Sequence, residues 1–384
     1  MSEKPSLDTS QKQLEGDFGT EDETPSINDL FSESYDTAIS SENTARLVIA
    51  DVHGDYEAFS RSLDLGREFF ESKHCIQNYE LVLLGDLFDR GPDSLEILQD
   101  VISLLGSDKK VHLLCGNHES MMIKAFYDPV FSNIHSWFEN GGLSTLHSFS
   151  KLLSSPISSQ ILNDYQSVIN RSDINLLAQF YHANRDVLLQ TIVGLSKHDL
   201  ISKFVSNLSL CLSRGSQLYV HAGFLPSFIL SYSALCDWDL DLNQQFLIAL
   251  GKFVSGDRVF SPEMSFEDFL TASSVRGGNT VAGPLWADLR DIQSLSIFDD
   301  RMLMGLLGAV GTSQMVVGHS VVAEPSFYRF KTASRPNQGV LFMDCGISKF
   351  YPGNMTAQCL CVLESGESFV LDQNQDFTRL DFFN

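Results

Sequence analysis

The chain predicts a layered α/β fold with buried strands. Short apolar runs alternate with amphipathic helical stretches, each run stops abruptly at polar residues, and the composition is globular. Of 384 residues, 43% are hydrophobic and 20% charged, so a sizeable core is available. The first run, Leu47-Val48-Ile49-Ala50, precedes a mixed stretch from about Tyr56 to Phe70. The phrase recurs as Leu81 to Leu84 followed by a helical stretch from Ser94 to Leu105, and again as Val111 to Cys115. Further strands are expected at Gln217 to Val220, Gln314 to Val317 and Val340 to Met343, with a closing hairpin from Ala357 to Leu371 around Ser365-Gly366.

Two segments depart from this rhythm. Residues 1–43 hold 11 acids against 2 bases and few large apolar groups, which predicts a disordered acidic tail. The folded unit is expected over 44–384. Within it, residues of about 125–215 predict a helical insert: Ile161, Tyr165, Val168 and Ile169, then Ile201, Phe204, Val205, Leu208 and Leu212, recur at three and four. The net charge of −23 opposes adhesion to nucleic acid or anionic lipid. No window reaches the ~18 apolar residues of a membrane span, and the N-terminus lacks a secretory stretch. Seven scattered cysteines do not form a disulfide framework, and a cytoplasmic protein is expected. Cys359 and Cys361 read as half-buried strand residues.

The informative positions stand just after the strands. Asp51 and His53 follow the first, Asp86 and Asp89 the second, Asn117 and His118 the third, His221 and His319 two later ones. Ligands and catalytic groups collect at the carboxyl ends of strands in such sheets. Carboxylates, an amide and imidazoles together suit first-row divalent cations, and the lack of thiolates argues against structural zinc. Two cations about 3.5–4 Å apart need a shared ligand, and Asp86 lies in the middle of the set.

Asp51-Val52-His53-Gly54-Asp55, Gly85-Asp86-Leu87-Phe88-Asp89-Arg90-Gly91 and Gly116-Asn117-His118-Glu119 resemble the GDxHG, GDxxDRG and GNHE blocks of the calcineurin-like metallophosphoesterases, in their phosphoprotein phosphatase branch of bacterial type. Ala50 stands where the family usually has glycine. His221-Ala222-Gly223 and Gly318-His319-Ser320 resemble the later histidine blocks. The resemblance implies a β-sandwich flanked by helices and a metal-dependent protein phosphatase that hydrolyses phosphomonoesters by direct attack of a hydroxide shared between two divalent cations. Manganese is the first expectation, iron or zinc the alternatives. It implies Asp51, His53 and Asp86 at one cation and Asp86, Asn117, His221 and His319 at the other. His118 would be the general acid oriented by Asp89, and Arg90 and Asn117 would contact phosphate.

A second phosphate arginine is expected, with Arg276 and Arg290 as candidates, because Gly283-Pro284-Leu285-Trp286 resembles a bacterial block whose usual arginine is Asp288 in this chain. Trp137 with Asn140-Gly141-Gly142 and Thr145-Leu146 resembles a bacterial loop-helix block and reads as a structural turn. The 103 residues from His118 to His221 leave room for the insert, which is expected over the metal edge as a selector of substrate. Similar inserts occur in phosphatase effectors of intracellular bacteria, which would place the protein in a host cell. The partner expected is a phosphoprotein substrate, with a further protein partner on the tail or insert. Two alternatives stand beside this: a dinucleoside polyphosphate hydrolase, which often lacks the partner that Asp89 supplies here, and a catalytically silent scaffold.

Overall fold

Buried strands in two sheets carry the architecture of the computed structural model. It describes residues 44–169, 174–226, 228, 238–256, 283–350, 358–372, 374 and 376–380. The acidic segment 1–43 lies outside the described residues.

The first sheet contains β1 (Arg46–Ile49), β2 (Glu80–Leu83), β3 (Val111–Leu114) and β4 (Leu208–Ser209) in parallel, and is extended from β1 by an antiparallel set near the C-terminus. The second is built on β5 (Cys211–Arg214), β6 (Gln217–Val220) and β7 (Gln314–Val317). Beside β7 runs β9 (Gly339–Phe342), with β8 (Ser326–Arg329) antiparallel at the edge. The antiparallel set is β10 (Gln358–Val362), β11 (Ser368–Asp372) and β12 (Phe377–Arg379), in the order β12-β11-β10-β1. Gly366 turns the β10–β11 hairpin at φ 88°, a left-handed value that favours glycine.

Strand alternation explains how the sheets stack. Val48, Val82 and Leu114 of the first sheet cluster with Tyr219, Val316 and Leu341 of the second, forming the core between sheets. Their neighbours Leu47, Leu83, Leu113, Val220, Val317 and Phe342 join the core shared with the helices. Both faces are thus covered, which is why these strands read as continuous apolar runs. The protein is a β-sandwich flanked by helices.

The helices follow the sequence periods. α1 (Tyr56–Arg67) is capped by Asp55, whose carboxylate accepts from Ala58 N–H at 3.2 Å, and continues into a π-helical turn, Glu68–Lys73. α2 (Ser94–Leu105) buries Leu95, Ile97, Leu98, Val101 and Ile102. After β3 comes a run of helices: α3 (Asn117–Tyr127), α4 (Phe131–Glu139), α5 (Gly142–Ser150), α6 (Ser159–Ile169), α7 (Ile174–Ser196) and α8 (Asp199–Ser206). The run ends earlier than its periodicity implies: Leu208 lies on β4 and Leu212 on β5. Their spacing from Phe204 and Val205 mimics a helix, but the backbone pairs Leu208 with Leu113 and Leu212 with Tyr219. Later come α9 (Trp238–Val254), α10 (Leu289–Gln293) and α11 (Ile297–Ala309). No helix among the described residues is long and apolar enough to cross a membrane. Cys359 and Cys361 are buried on β10 in the core shared with the helices.

Candidate active site

The strand ends are tied together by backbone. Past β1, the N–H groups of Val52 and His53 both donate to the Asp86 carbonyl at 3.0 and 2.9 Å, and Gly54 N–H donates to Leu87 O at 2.9 Å. Gly91 N–H returns to His53 O at 3.0 Å. The two loops approach so closely that a Cβ on Gly54 would lie 2.7 Å from the Gly91 carbonyl oxygen, and one on Gly91 would collide with Gly54 O. This crossing demands glycine in both blocks. Gly91→Ala should therefore destabilise the fold by at least about 2 kcal/mol, read by urea unfolding, because backbone on both sides leaves no flexible neighbour to yield. Glu119 clamps the same region from below: its buried carboxylate accepts from Asp86, Leu87 and Gly116 N–H at 2.8, 2.9 and 3.0 Å.

Backbone strain is concentrated here. His53, Asp86, Asp89, Arg90 and His319 all have φ between 48° and 72°, left-handed values for non-glycine residues. Among the described residues Cys75 alone joins them. Strain of this kind persists only where the surroundings fix it, and it aims these five side chains into one space.

That space holds two overlapping donor groups. His53, Asp86 and His118 form one and Asp86, His221 and His319 the other, with the ligand atoms of each group within 4.8 Å of one another. Asp86 is shared: its Oδ2 is 4.0 Å from His53 Nε2 and its Oδ1 is 3.5 Å from His221 Nε2. Asn117, at the start of α3, sets its Oδ1 3.0 Å from His221 Nε2 and 3.1 Å from His319 Nδ1. Asp51 stands beside them, both its oxygens accepting from His319 N–H at 3.1 and 3.0 Å. A side chain on Gly318 would strike the Asp51 carboxylate, so the last block needs its glycine as well.

The donor chemistry fits divalent cations. The Nδ1 of His221 contacts Leu84 O at 2.9 Å and that of His53 contacts Phe88 O at 3.4 Å, which puts the ring hydrogens on Nδ1 and turns the Nε2 lone pairs inward. Burial holds both rings below the usual histidine range, His221 at about 4, so both are neutral. With its oxygen inward, the Asn117 amide faces only lone pairs, an arrangement that a cation satisfies; turned over, its nitrogen would donate to Asp86 Oδ2 at 2.9 Å. Burial, with the Asp344 and Asp86 carboxylates next, pushes Asp51 up, and burial with Glu119 pushes Asp86 up. Buried acids crowded among neutral imidazoles are a site short of positive charge.

His118, a member of the first donor group, is also paired with Asp89. His118 Nδ1 lies 2.7 Å from Asp89 Oδ2, and both are fully buried. Asp89 also accepts from Trp137 Nε1 at 3.0 Å and from the Thr145 hydroxyl at 2.7 Å. Burial nonetheless raises Asp89 to about 7, against these bonds and Arg90. The Trp137–Leu146 block is thus more than a turn. Trp137 and Thr145 orient the aspartate, and Gly141, at φ 98°, offers its carbonyl to Arg90 N–H at 3.2 Å. Arg90 extends its guanidinium to both rings, Nη1 at 2.6 Å from His53 Nε2 and Nη2 at 3.1 Å from His118 Nε2.

The second arginine is not supplied by this cluster. Arg290 has its side chain 67% exposed and paired with Asp288 at 2.9 Å, while Arg276 lies outside the described residues. The loop holding Trp286 does reach the site, its ring 5.8 Å from that of His319. One residue escaped the strand-end reading. Asp344 follows β9 and is buried; one carboxylate oxygen accepts from Gly346 N–H at 2.9 Å while Oδ2 has no hydrogen-bond partner among the described residues. Burial lifts it to about 6. The signal was available, because Asp344 ends the Val340–Met343 run as Asp51 and Asp86 end theirs.

Residues 46–206 match the family model of the calcineurin-like phosphoesterases. The chain carries a calcineurin-like phosphoesterase domain. It is 38% identical over 85 residues to the symmetrical bis(5'-nucleosyl)-tetraphosphatase of Buchnera aphidicola subsp. Schizaphis graminum, covering 22% of this chain and 28% of that protein. It is 34% identical over 100 residues to the serine/threonine-protein phosphatase 6 catalytic subunit of Caenorhabditis elegans, covering 24% of this chain and 28% of that one. The chain thus spans less than a third of the length of either curated relative. Beyond the calcineurin-like phosphoesterase segment, a cold-active protein tyrosine phosphatase shares the fold, with a TM-score of 0.53 at 17% identity over 89% of this chain and 80% of that one.

Proposed function

We propose that the protein is a metal-dependent phosphomonoesterase of the phosphoprotein phosphatase type, acting on phosphoproteins. One observation carries this reading: a shared carboxylate, Asp86, lies between two groups of inward-facing lone pairs and 3.9 Å from the His118–Asp89 pair. Asp51, His53 and Asp86 would hold one divalent cation, and Asp86, Asn117, His221 and His319 a second. Bound there, the cations would make water nucleophilic near neutral pH and offset phosphate charge.

The chain's own residues would do the rest. Arg90 forks toward the space between His53 and His118 and would bind phosphate oxygens with two parallel N–H groups. His118 would give its Nε2 proton to the departing oxygen as the phosphorus–oxygen bond breaks, while its Nδ1–H stays on Asp89. Trp137 and Thr145 hold that aspartate, so the ring keeps its direction through the proton transfer. Water replaces the alcohol on phosphorus, and the products are inorganic phosphate and the free hydroxyl.

Hydrolysis of dinucleoside polyphosphates is the second reading, favoured by the tetraphosphatase relative. The retained Asp89 supports the phosphatase instead. Purified protein with Mn²⁺ should release phosphate from phosphopeptides faster than it cleaves diadenosine tetraphosphate; the reverse order would select the second reading. His118→Asn should lower kcat on the peptide by about 10²–10⁴-fold, the worth of a positioned acid. Undiminished turnover in that variant would remove His118 from the mechanism.

A further inference from the structure

Past β9 stands a carboxylate that the proposed reaction leaves idle. Asp344 is 1% exposed, and its backbone is pinned, with Val322 N–H donating to its carbonyl at 2.8 Å. Its Oδ1 accepts from Gly346 N–H at 2.9 Å, whereas Oδ2 has no hydrogen-bond partner among the described residues. A buried carboxylate oxygen without a donor is costly and calls for one.

Its surroundings put it beside the first of the two proposed cation sites, that of Asp51, His53 and Asp86. β7 and β9 run parallel with Val317 opposite Phe342, so His319 and Asp344, each two residues further on, leave neighbouring strands at the same level. His319 N–H is the donor to both oxygens of Asp51. The chain then turns at Gly346, φ 62°, and reaches Asp55, whose Oδ2 accepts from Lys349 N–H at 2.9 Å. Asp55 ends the block that carries Asp51 and His53, so residues 344–349 run from the end of β9 to the loop that supplies two of that site's three ligands. Electrostatics follow the same geometry. After burial itself, the Asp344 carboxylate does most to push Asp51 up, ahead of Asp86. Burial raises Asp344 in turn, against the Gly346 bond and the charge of Arg90, whose guanidinium reaches His53.

We propose that Asp344 is a positioning residue of the first cation site, an outer carboxylate whose Oδ2 accepts from a water of that site and whose charge strengthens its hold on a divalent cation. The inference rests on the phosphoesterase reading above. Asp344 belongs to neither donor group, so it acts from outside the direct ligands. Outer groups of this kind orient what the ligands hold and add to affinity without touching the ion. Oδ2 thereby gains the donor that the described residues do not supply.

The test titrates the metal-free full chain with Mn²⁺ and follows binding by calorimetry. The wild type should take up two equivalents. Asp344→Asn, which can still accept from Gly346 N–H, should weaken one equivalent by roughly 10–100-fold, the usual effect of losing an outer partner, and leave the other within about threefold. Asp344→Ser, which can accept the same bond, should do likewise and guards against an asparagine variant that fails to fold. Metal-free Asp344→Asn should melt no lower than the metal-free wild type, because a neutral amide replaces a buried charge. Unchanged affinity for both equivalents, a lower metal-free melting point, or failure of both variants to fold would mark a structural aspartate and overturn the inference. The phosphoesterase reading would stand in those cases, provided that the wild type binds two equivalents and releases phosphate from phosphopeptides. Complete loss of one equivalent in both variants would make Asp344 a direct ligand and overturn the outer placement. A wild type that takes up no Mn²⁺ and is inert on phosphopeptides would overturn that reading, and this inference with it.

Discussion

Asp86→Asn should reduce phosphopeptide turnover by roughly 10²–10³-fold or more and abolish binding of the second equivalent of Mn²⁺. Among the described residues only Asp86 belongs to both donor groups. Its neighbours are all within reach of one carboxylate, with His221 at 3.5 Å, His118 at 3.9 Å and His53 at 4.0 Å. Asparagine keeps the shape and can still accept the His118 N–H bond of 3.0 Å, but it offers one oxygen where two are needed. It also removes negative charge from a pocket where Asp51, Glu119 and Asp344 are buried as well. The metal-free variant should therefore melt no lower than the metal-free wild type, while the stabilisation that Mn²⁺ gives the wild type largely disappears. That divergence separates a ligand from a structural residue: a structural aspartate would lower both melting points. Full metal stoichiometry by elemental analysis, with turnover unchanged, would refute the assignment.

Much of this site was legible because of a single physical regularity. A parallel strand buried on both faces reads as an unbroken apolar run, and the first polar residue past it stands at the sheet edge. Asp51, Asp86, Asn117, His221 and His319 all obey that rule, and the structure brings them together. Asp344 obeys it too, yet no family block drew attention to it. The roles of Trp137 and Thr145 were of another kind. They act on Asp89 from 48 and 56 residues away, through contacts that depend on how α4 and α5 lie against the GDxxDRG loop. Nothing in the local pattern around Trp137 names its partner. Glu119 is similar, since its three backbone donors come from two different loops.

The fold was read best where burial is complete. β6 and β7 fall on Gln217–Val220 and Gln314–Val317, and α2 on Ser94–Leu105, because apolar runs and periods there end at clear breakers or polar residues. The reading failed where segments are short or face solvent. β4 has two residues, too few for any alternation to register. β8 is an edge strand without a buried residue and resembles a loop in sequence. Leu208 and Leu212 continued the three-four spacing of α8 by coincidence, and long-range pairing with β3 and β6 overrode it.

Between the sheets lies a charged cluster that predicts a second large effect, on stability rather than chemistry. Glu80 on β2 is 4% exposed, and its carboxylate meets Arg214 Nε at 3.2 Å, His112 Nε2 at 3.1 Å and Lys110 Nζ at 3.4 Å. Arg214 is itself 6% exposed, so Glu80→Ala would strand a buried guanidinium. The loss should be about 3–5 kcal/mol by urea unfolding at pH 7, since breaking one side of a buried pair leaves the other without compensation. The pH dependence carries the same signature. Burial alone would raise Glu80, but the His112 hydrogen bond and the charges of His112, Arg214 and Lys110 outweigh it and hold the acid down at about 2, against an ordinary 4.5. A carboxyl depressed in the folded state stabilises above its unfolded pKa and loses that contribution as the solution is acidified toward its folded one. The gap between wild type and Glu80→Ala should therefore be full above pH 4.5 and narrow steadily toward pH 2. A gap under about 1 kcal/mol at pH 7 would mean that the cluster is solvated and exchanges its pairs with water, as exposed ion pairs do.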